Sequence, residues 1–176
     1  MASKTLAERA AWTWYEKNKS SISWDLVTLN PPYVFGPIIH ECKGVESLNT
    51  SAGLWYAMVL KGGALADSKT LADGNNWVDV RDISYASVLA LLKEEAANNR
   101  FIISPGSFIW QEFVAAAHKY VPSLPAGDAS IDVTKRPDIV VDGSKSKKVL
   151  GITYRTFEET SKDTIVDLEQ KGWWKA

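Results

Sequence analysis

The sequence predicts an α/β fold, and specifically the later part of one. Segments with the apolar pattern of strands alternate with segments patterned as helices, the signature of α/β architecture. The strands are few, and the first element is a helix. A complete doubly wound nucleotide-binding sheet opens instead with a strand and a Gly-rich turn. No G-x-G-x-x-G or G-x-x-G-x-x-G pattern occurs; Gly62-Gly63 follows a predicted helix, which is the wrong context.

The elements follow in order. Leu6, Ala7, Ala10, Ala11 and Trp14 recur on one helical face, predicting a helix over 3–19 with Ser3 as cap and Ser20-Ser21 as stop. "SWDLVTLN" (23–30) predicts a strand stopped by Pro31-Pro32, followed by a long loop. A helix over about 47–60 ends at Gly62-Gly63, and the polar stretch 64–76 predicts a loop. "WVDV" (77–80) predicts a short strand. Asp82 then caps a helix carrying Ile83, Ala86, Leu89 and Ala90 and ending near Asn98-Asn99. "RFIIS" (100–104) predicts a buried strand, and Ser107 opens a helix that Pro122 ends. "DIVVD" (138–142) predicts a strand, "SKSKKVLG" a short helix stopped by glycine, and 156–171 a last helix. Residues 1–99 are expected to form the remainder of a nucleotide-binding sheet, and residues 100–176 mainly a substrate lobe, within a single partial domain.

Composition narrows the function. The chain has 176 residues, 45% hydrophobic and 23% charged, with a formal net charge of −1. Such a balance gives no electrostatic footprint for nucleic acid or an anionic membrane. Eight Trp is a high count, for which core packing is the expected use. Cys42 is alone, so no internal disulfide forms. His40-Glu41-Cys42 resembles a ligand cluster, but adjacent residues in an extended segment point to opposite faces, so no metal is expected. No apolar run approaches the ~18 residues of a membrane span, and no signal-peptide core follows the N-terminal Lys and Arg. A cytoplasmic location is the expectation.

Four segments carry a resemblance. "ASKTLAERAAW", "LVTLNPPYVFGP", "LNTS" and "WVDVRDIS", in this order and at these spacings, resemble the C-terminal half of an extended short-chain dehydrogenase/reductase. Within that superfamily (the NAD-dependent epimerase/dehydratases) the chain is most similar to fungal NADPH-dependent aldehyde and ketone reductases, relatives of dihydroflavonol and cinnamoyl-CoA reductase. The resemblance implies the C-terminal part of a Rossmann-type NAD(P)-binding fold with a small substrate lobe, lacking the Gly-rich half. It implies NADPH as cofactor and a small aldehyde or ketone as substrate.

The catalytic motif of the family is Tyr-x-x-x-Lys on a helix, where residues four apart share a face. In the family the Tyr protonates the carbonyl oxygen, and the Lys binds the nicotinamide ribose and lowers the Tyr pKa. By resemblance Lys4 is that Lys, both catalytic and cofactor-binding; its Tyr falls one place before Met1 and is not in the chain. Tyr15 and Lys19 have the same spacing, but Lys19 is followed at once by Ser20-Ser21, leaving no room for the long helix that follows the motif. The resemblance further implies cofactor contacts from Pro31, Tyr33 and Val34, the last through its main chain, and from Ser51 near the phosphates. Tyr33, Phe35 and His40 are candidates for a substrate wall, while Phe108, Trp110 and Phe113 are expected in the core. Asp79, Arg81 and Asp82 are expected to fix a strand-to-helix turn.

The Gly-rich turn, the Tyr and the upstream Ser or Thr of the family are not in this sequence, so the polypeptide as written is not expected to reduce a carbonyl unaided. Two readings follow: part of an NADPH-dependent carbonyl reductase, or a non-catalytic remnant acting as a binding module through the exposed edge of a half sheet.

Overall fold

Strand β3 (Gly74–Asp79) separates two hydrophobic cores, because successive side chains of a strand point to opposite faces. Trp77 enters one core and Val78 the other. Residues 2–176 are described in the structure, a computed structural model; Met1, the position beside the expected Tyr, lies outside them.

Helix α1 (Ala2–Asn18) leads through an irregular segment to β1 (Thr28–Asn30), shorter than the expected 23–30. Its partner β4 (Arg100–Ile102) begins only opposite Thr28, so residues 23–27 have no ladder to join. Pro31-Pro32 interrupts the sheet without ending extended structure. The chain resumes as β2 (Tyr33–Phe35), inside the segment expected to be loop, because β3 offers it a parallel partner. Helix α2 (Thr50–Trp55), capped by Asn49, continues through a π turn (Tyr56–Leu60). Residues 64–76 are not a plain loop: they hold α3 (Ser68–Ala72), capped by Asp67, and the first half of β3.

Helix α4 (Val80–Leu92) stops well short of Asn98-Asn99. Its cap is Asp79, whose Oδ1 accepts from the Arg81 amide at 2.9 Å. Asp82, expected as the cap, is buried in the first turn and paired with Arg155. A helix was expected from Ser107, but residues Gly106–Ile109 form β5, antiparallel to β3, and α5 (Trp110–Tyr120) starts after it. Helix α6 (Ser144–Leu150) is stopped by Gly151 at φ 72°, and α7 (Phe157–Gln170) by Gly172 just beyond it. Thr156 and Glu159 close a reciprocal cap at the start of α7. Residues 138–142 form no strand.

The described strands make two sheets, β1–β4 parallel and β2–β3–β5 mixed. β4 and β5, past residue 100, pair with β1 and β3, so the two halves of the chain interleave. The first core is aromatic: Phe35, Phe108, Trp110 and Phe113 meet at ring-centroid distances of 4.9–6.4 Å, with Trp77 and Phe157 closing the cluster. The second core gathers Val78, Phe101, Ile103, Leu150 and Ile152.

Asp79, 0% exposed, ties these layers together. It accepts from Arg81 Nε at 2.9 Å and Nη2 at 2.8 Å, and from Thr160 Oγ1 on α7 at 2.7 Å. Gly36, at φ 112°, passes so close that a Cβ there would lie 3.1 Å from the carboxylate. Burial pushes the Asp79 carboxyl up, and the Arg81 and Thr160 hydrogen bonds outweigh it, leaving it below the usual range. A depressed pKa contributes stability above the free-carboxylate value of about 3.9 that is lost as pH falls through the folded one. The urea midpoint should therefore hold from neutrality to about pH 5 and drop below about pH 4. Asp79→Ala should cost roughly 3 kcal/mol at neutral pH, since it removes the α4 cap and the shared acceptor of Arg81 Nε and Nη2 and of the buried Thr160 hydroxyl, leaving Arg81 only its pair with Asp163, and should flatten that acid limb.

On the other side, β1 has one edge without a strand partner among the described residues. Beside it Trp14 stacks on Trp24 at 5.8 Å, and Leu91 and Leu92 are 88% and 75% exposed. An open edge next to exposed apolar side chains promotes association. Sedimentation velocity should show a coefficient that rises with concentration, and Leu91→Lys with Leu92→Lys should suppress the rise.

Candidate functional site

The direction of α1 fixes one end of the site. Near its C-terminus the Tyr15 hydroxyl donates to Asp25, before β1; about two turns earlier, Glu8 accepts from Thr28 Oγ1 at 3.2 Å and Asn30 Nδ2 at 3.4 Å, on β1 itself. The helix therefore runs antiparallel to β1. Lys4 lies exposed on the face of Glu8, four residues and about 6 Å further along, toward the carboxyl end of β1. Arg100 Nε also donates to Glu8 at 2.7 Å, joining α1 to β4. Burial lifts the Glu8 carboxyl, but the Arg100, Thr28 and Asn30 bonds prevail and hold it below the usual range.

At that carboxyl end Pro31-Pro32 carries the chain into β2. Alternation along β2 puts Tyr33 and Phe35 on one side, their rings stacked at 6.0 Å, and Val34 on the other, against the second core. Tyr33 and Pro32 border a cleft of about 760 Å³, with Ser51 from the first turn of α2. The floor is Asp73 to Asn76, the start of β3, and the remaining wall is Pro137 to Ile139 with Val141.

The expected site residues separate into groups. Tyr33 and Ser51 meet in the cleft. Pro31 is exposed just before it, and Lys4 lies at the same end of β1 without lining the cleft. Phe35 is 1% exposed among Phe108, Trp110 and Phe113, so it is a core residue and not a substrate wall. His40 is exposed and lines none of the cleft. The residues 73–76 and 137–141 were not anticipated as site residues. The first group was hidden in a stretch patterned as loop, and the second in one patterned as strand.

Comparison with known proteins gives the family. No family model matches the chain. It is 32% identical to the NADPH-dependent methylglyoxal reductase GRE2 of Saccharomyces cerevisiae, over 92% of this chain and 48% of that protein. It is 36% identical to the ketoreductase azaE of Aspergillus niger, over 97% of this chain and 51% of that one. Gre2 from Candida albicans superposes with a TM-score of 0.78 at 30% identity, over 97% of this chain and 52% of its own. The chain belongs to the extended short-chain dehydrogenase/reductase family. It matches the C-terminal half of these Rossmann-type reductases and spans about half the length of the curated relatives.

The Tyr-x-x-x-Lys spacing also occurs in this chain at Tyr15 and Lys19, and the geometry there is structural. The Tyr15 hydroxyl is held by Asp25 at 3.2 Å, and burial together with that carboxylate pushes its pKa up, away from neutral proton transfer. Lys19 lies beyond the end of α1, paired with Glu16 at 2.8 Å.

Set against a dinucleotide, the described residues suit its nicotinamide end. The cleft falls within the ~300–1,000 Å³ of small-molecule sites, and Tyr33, Ser51 and Asn75 line it with hydroxyl and carboxamide groups, beside the carboxylates of Asp73 and Asp138. Gly74 permits the close approach of β3 and β5: a Cβ there would come within 1.9 Å of the Phe108 carbonyl oxygen across the ladder. Gly74→Ala should lower stability by roughly 1–3 kcal/mol by overpacking, read as a lower urea midpoint with the slope unchanged.

Proposed function

We propose that the chain forms the nicotinamide-facing and substrate-facing part of an NADPH-dependent carbonyl reductase that converts aldehydes or ketones to alcohols. The observation that carries this reading is the antiparallel course of α1 along β1. It brings Lys4 to the end of β1 from which Pro31-Pro32 leads to Tyr33 and the cleft. Ligands of open α/β sheets bind outside the carboxyl ends of the strands, and Lys4 lies at the carboxyl end of β1, while the cleft opens beside it at the amino ends of β2 and β3. The relative in Saccharomyces cerevisiae is an NADPH-dependent methylglyoxal reductase and that in Aspergillus niger a ketoreductase, which supports the same chemistry here.

When bound, NADPH supplies the hydride. The chain supplies position and charge. The Lys4 ammonium would donate to the nicotinamide ribose and, by the spacing of the family motif, would favour the ionised form of a Tyr four residues before it. Pro31, Tyr33 and the Val34 main chain would flank the nicotinamide, and the Ser51 hydroxyl would serve the phosphate region. Tyr33 and the cleft beside it receive the substrate. A second reading, a non-catalytic binding module, draws on the open edge of β1 and the exposed Trp14–Trp24 patch.

Two measurements separate the readings. The codon immediately before that of Met1 should encode Tyr in frame; any other residue overturns the reductase reading. The chain alone should show no saturable quenching of Trp fluorescence by NADPH at micromolar concentration. Co-expressed with the amino-terminal half of the yeast reductase, it should oxidise NADPH in the presence of an aldehyde, and Lys4→Met should lower that rate by roughly 10²-fold. Tight NADPH binding by the chain alone would contradict this assignment of parts.

A further inference from the structure

Residues 121–143, between α5 and α6, form neither helix nor strand, yet side chains of the core hold them at fixed points. Gln111 Nε2 on α5 donates to the Ala126 carbonyl at 3.1 Å, and its Oε1 accepts from the Asp128 amide at 2.9 Å. Arg136 donates to Glu112 at 2.6 Å. Asn76 on β3 holds the far end: Nδ2 donates to the Ile139 carbonyl at 2.9 Å and Oδ1 accepts from the Val141 amide at 3.0 Å. The carboxamide thus meets the carbonyl of one residue and the amide of the second residue after it, as a neighbouring strand would. Asn76 is 2% exposed, so its carboxamide would be left buried and unpaired without this segment, which ties the two together.

The segment held in this way is the wall of the cleft that β2 and α2 do not provide. It presents Ile139, 74% exposed, and Val141 beside Pro137. An isoleucine left in water at a cleft edge gains burial when an apolar group occupies the cleft. No Lys, Arg or His lines the cleft among the described residues, and its charged groups are Asp73 and Asp138. An anionic ligand meets carboxylates there and no cation.

We propose that Asn76 is a positioning residue: it fixes the backbone at 139 and 141, so that Ile139 and Val141 select the apolar substituent of a neutral carbonyl substrate. The term substrate rests on the reductase reading above; the clamp and the apolar wall rest on the geometry alone.

Acetophenone, a neutral aryl ketone, is the probe, titrated into the ¹⁵N-labelled full chain and followed by amide chemical shifts. Binding should perturb the amides of 138–141, since Pro137 has none, together with Tyr33. Ile139→Ala should weaken it about tenfold, the scale set by a methylene or two missing from an apolar pocket. Benzoate, the anionic counterpart, should bind at least about tenfold more weakly, since its charge faces Asp73 and Asp138. Asn76→Ala should weaken acetophenone by about tenfold or more and speed exchange of the Val141 amide by a similar factor, with amides of α7 unchanged. Ile139 is exposed, so its replacement leaves the fold intact and decides the matter even where Asn76→Ala unfolds the chain. Acetophenone that does not bind, binds Ile139→Ala equally well, or perturbs only residues outside 138–141 overturns the proposal, as does benzoate binding as tightly. Lys4→Met should leave acetophenone binding unchanged while lowering turnover in the co-expressed enzyme by roughly 10²-fold. Loss of turnover alone therefore bears on the reductase reading, and loss of Ile139-dependent binding on this one.

Discussion

A single buried carboxylate sets the geometry of this chain. Asp79 ends β3, caps α4, holds the Arg81 guanidinium and takes the Thr160 hydroxyl from α7. A buried charge survives only when its hydrogen-bonding capacity is filled, so each of these elements must arrive at the same point. Gly36 is drawn into the arrangement as well, since its backbone passes where no side chain fits. β2 and β3 are thereby held in register at their far ends, and their near ends, Tyr33 and Gly74, define the cleft. The site is placed by an interaction at the opposite end of the strands that line it.

Most helices were legible in the sequence because their signals are local, though the short α3 fell in a stretch patterned as loop and α4 ends before Asn98-Asn99. Caps, glycine stops and i, i+3, i+4 apolar spacing need no partner, and α5, α6 and α7 end where such signals fall. The aromatic core was legible too, since Phe108, Trp110 and Phe113 are buried as expected. Short strands were not. β2 and β5 are three and four residues long, and each exists because β3 lies beside it. Segment 138–142 shows the converse: it has the composition of a strand, but its partner is the side chain of Asn76, so no ladder forms. Asp82 competes as a cap by residue type and loses to Asp79, because Arg155 claims it inside the helix.

The candidate site was legible by halves. Lys4, Tyr33 and Ser51 belong to motifs contiguous in sequence; the fold brings Tyr33 and Ser51 to the cleft, while Lys4 lies toward the carboxyl end of β1 without lining it. Asp73 to Asn76 and the 137–141 wall are assembled from distant segments with no motif of their own. Residue type carried little information there, because Asn76 acts through the backbone atoms it binds.

The Pro31-Pro32 step joins β1 of one sheet to β2 of the other. Neither proline has an N–H to donate, so no ladder can run across the step and weld the sheets into one. Both have a fixed φ, so the step does not flex as glycine would. It therefore acts as a short stiff rod between two otherwise separate plates. A shift of β1, such as a new strand added to its open edge would impose, is delivered to Tyr33 rather than absorbed along the way.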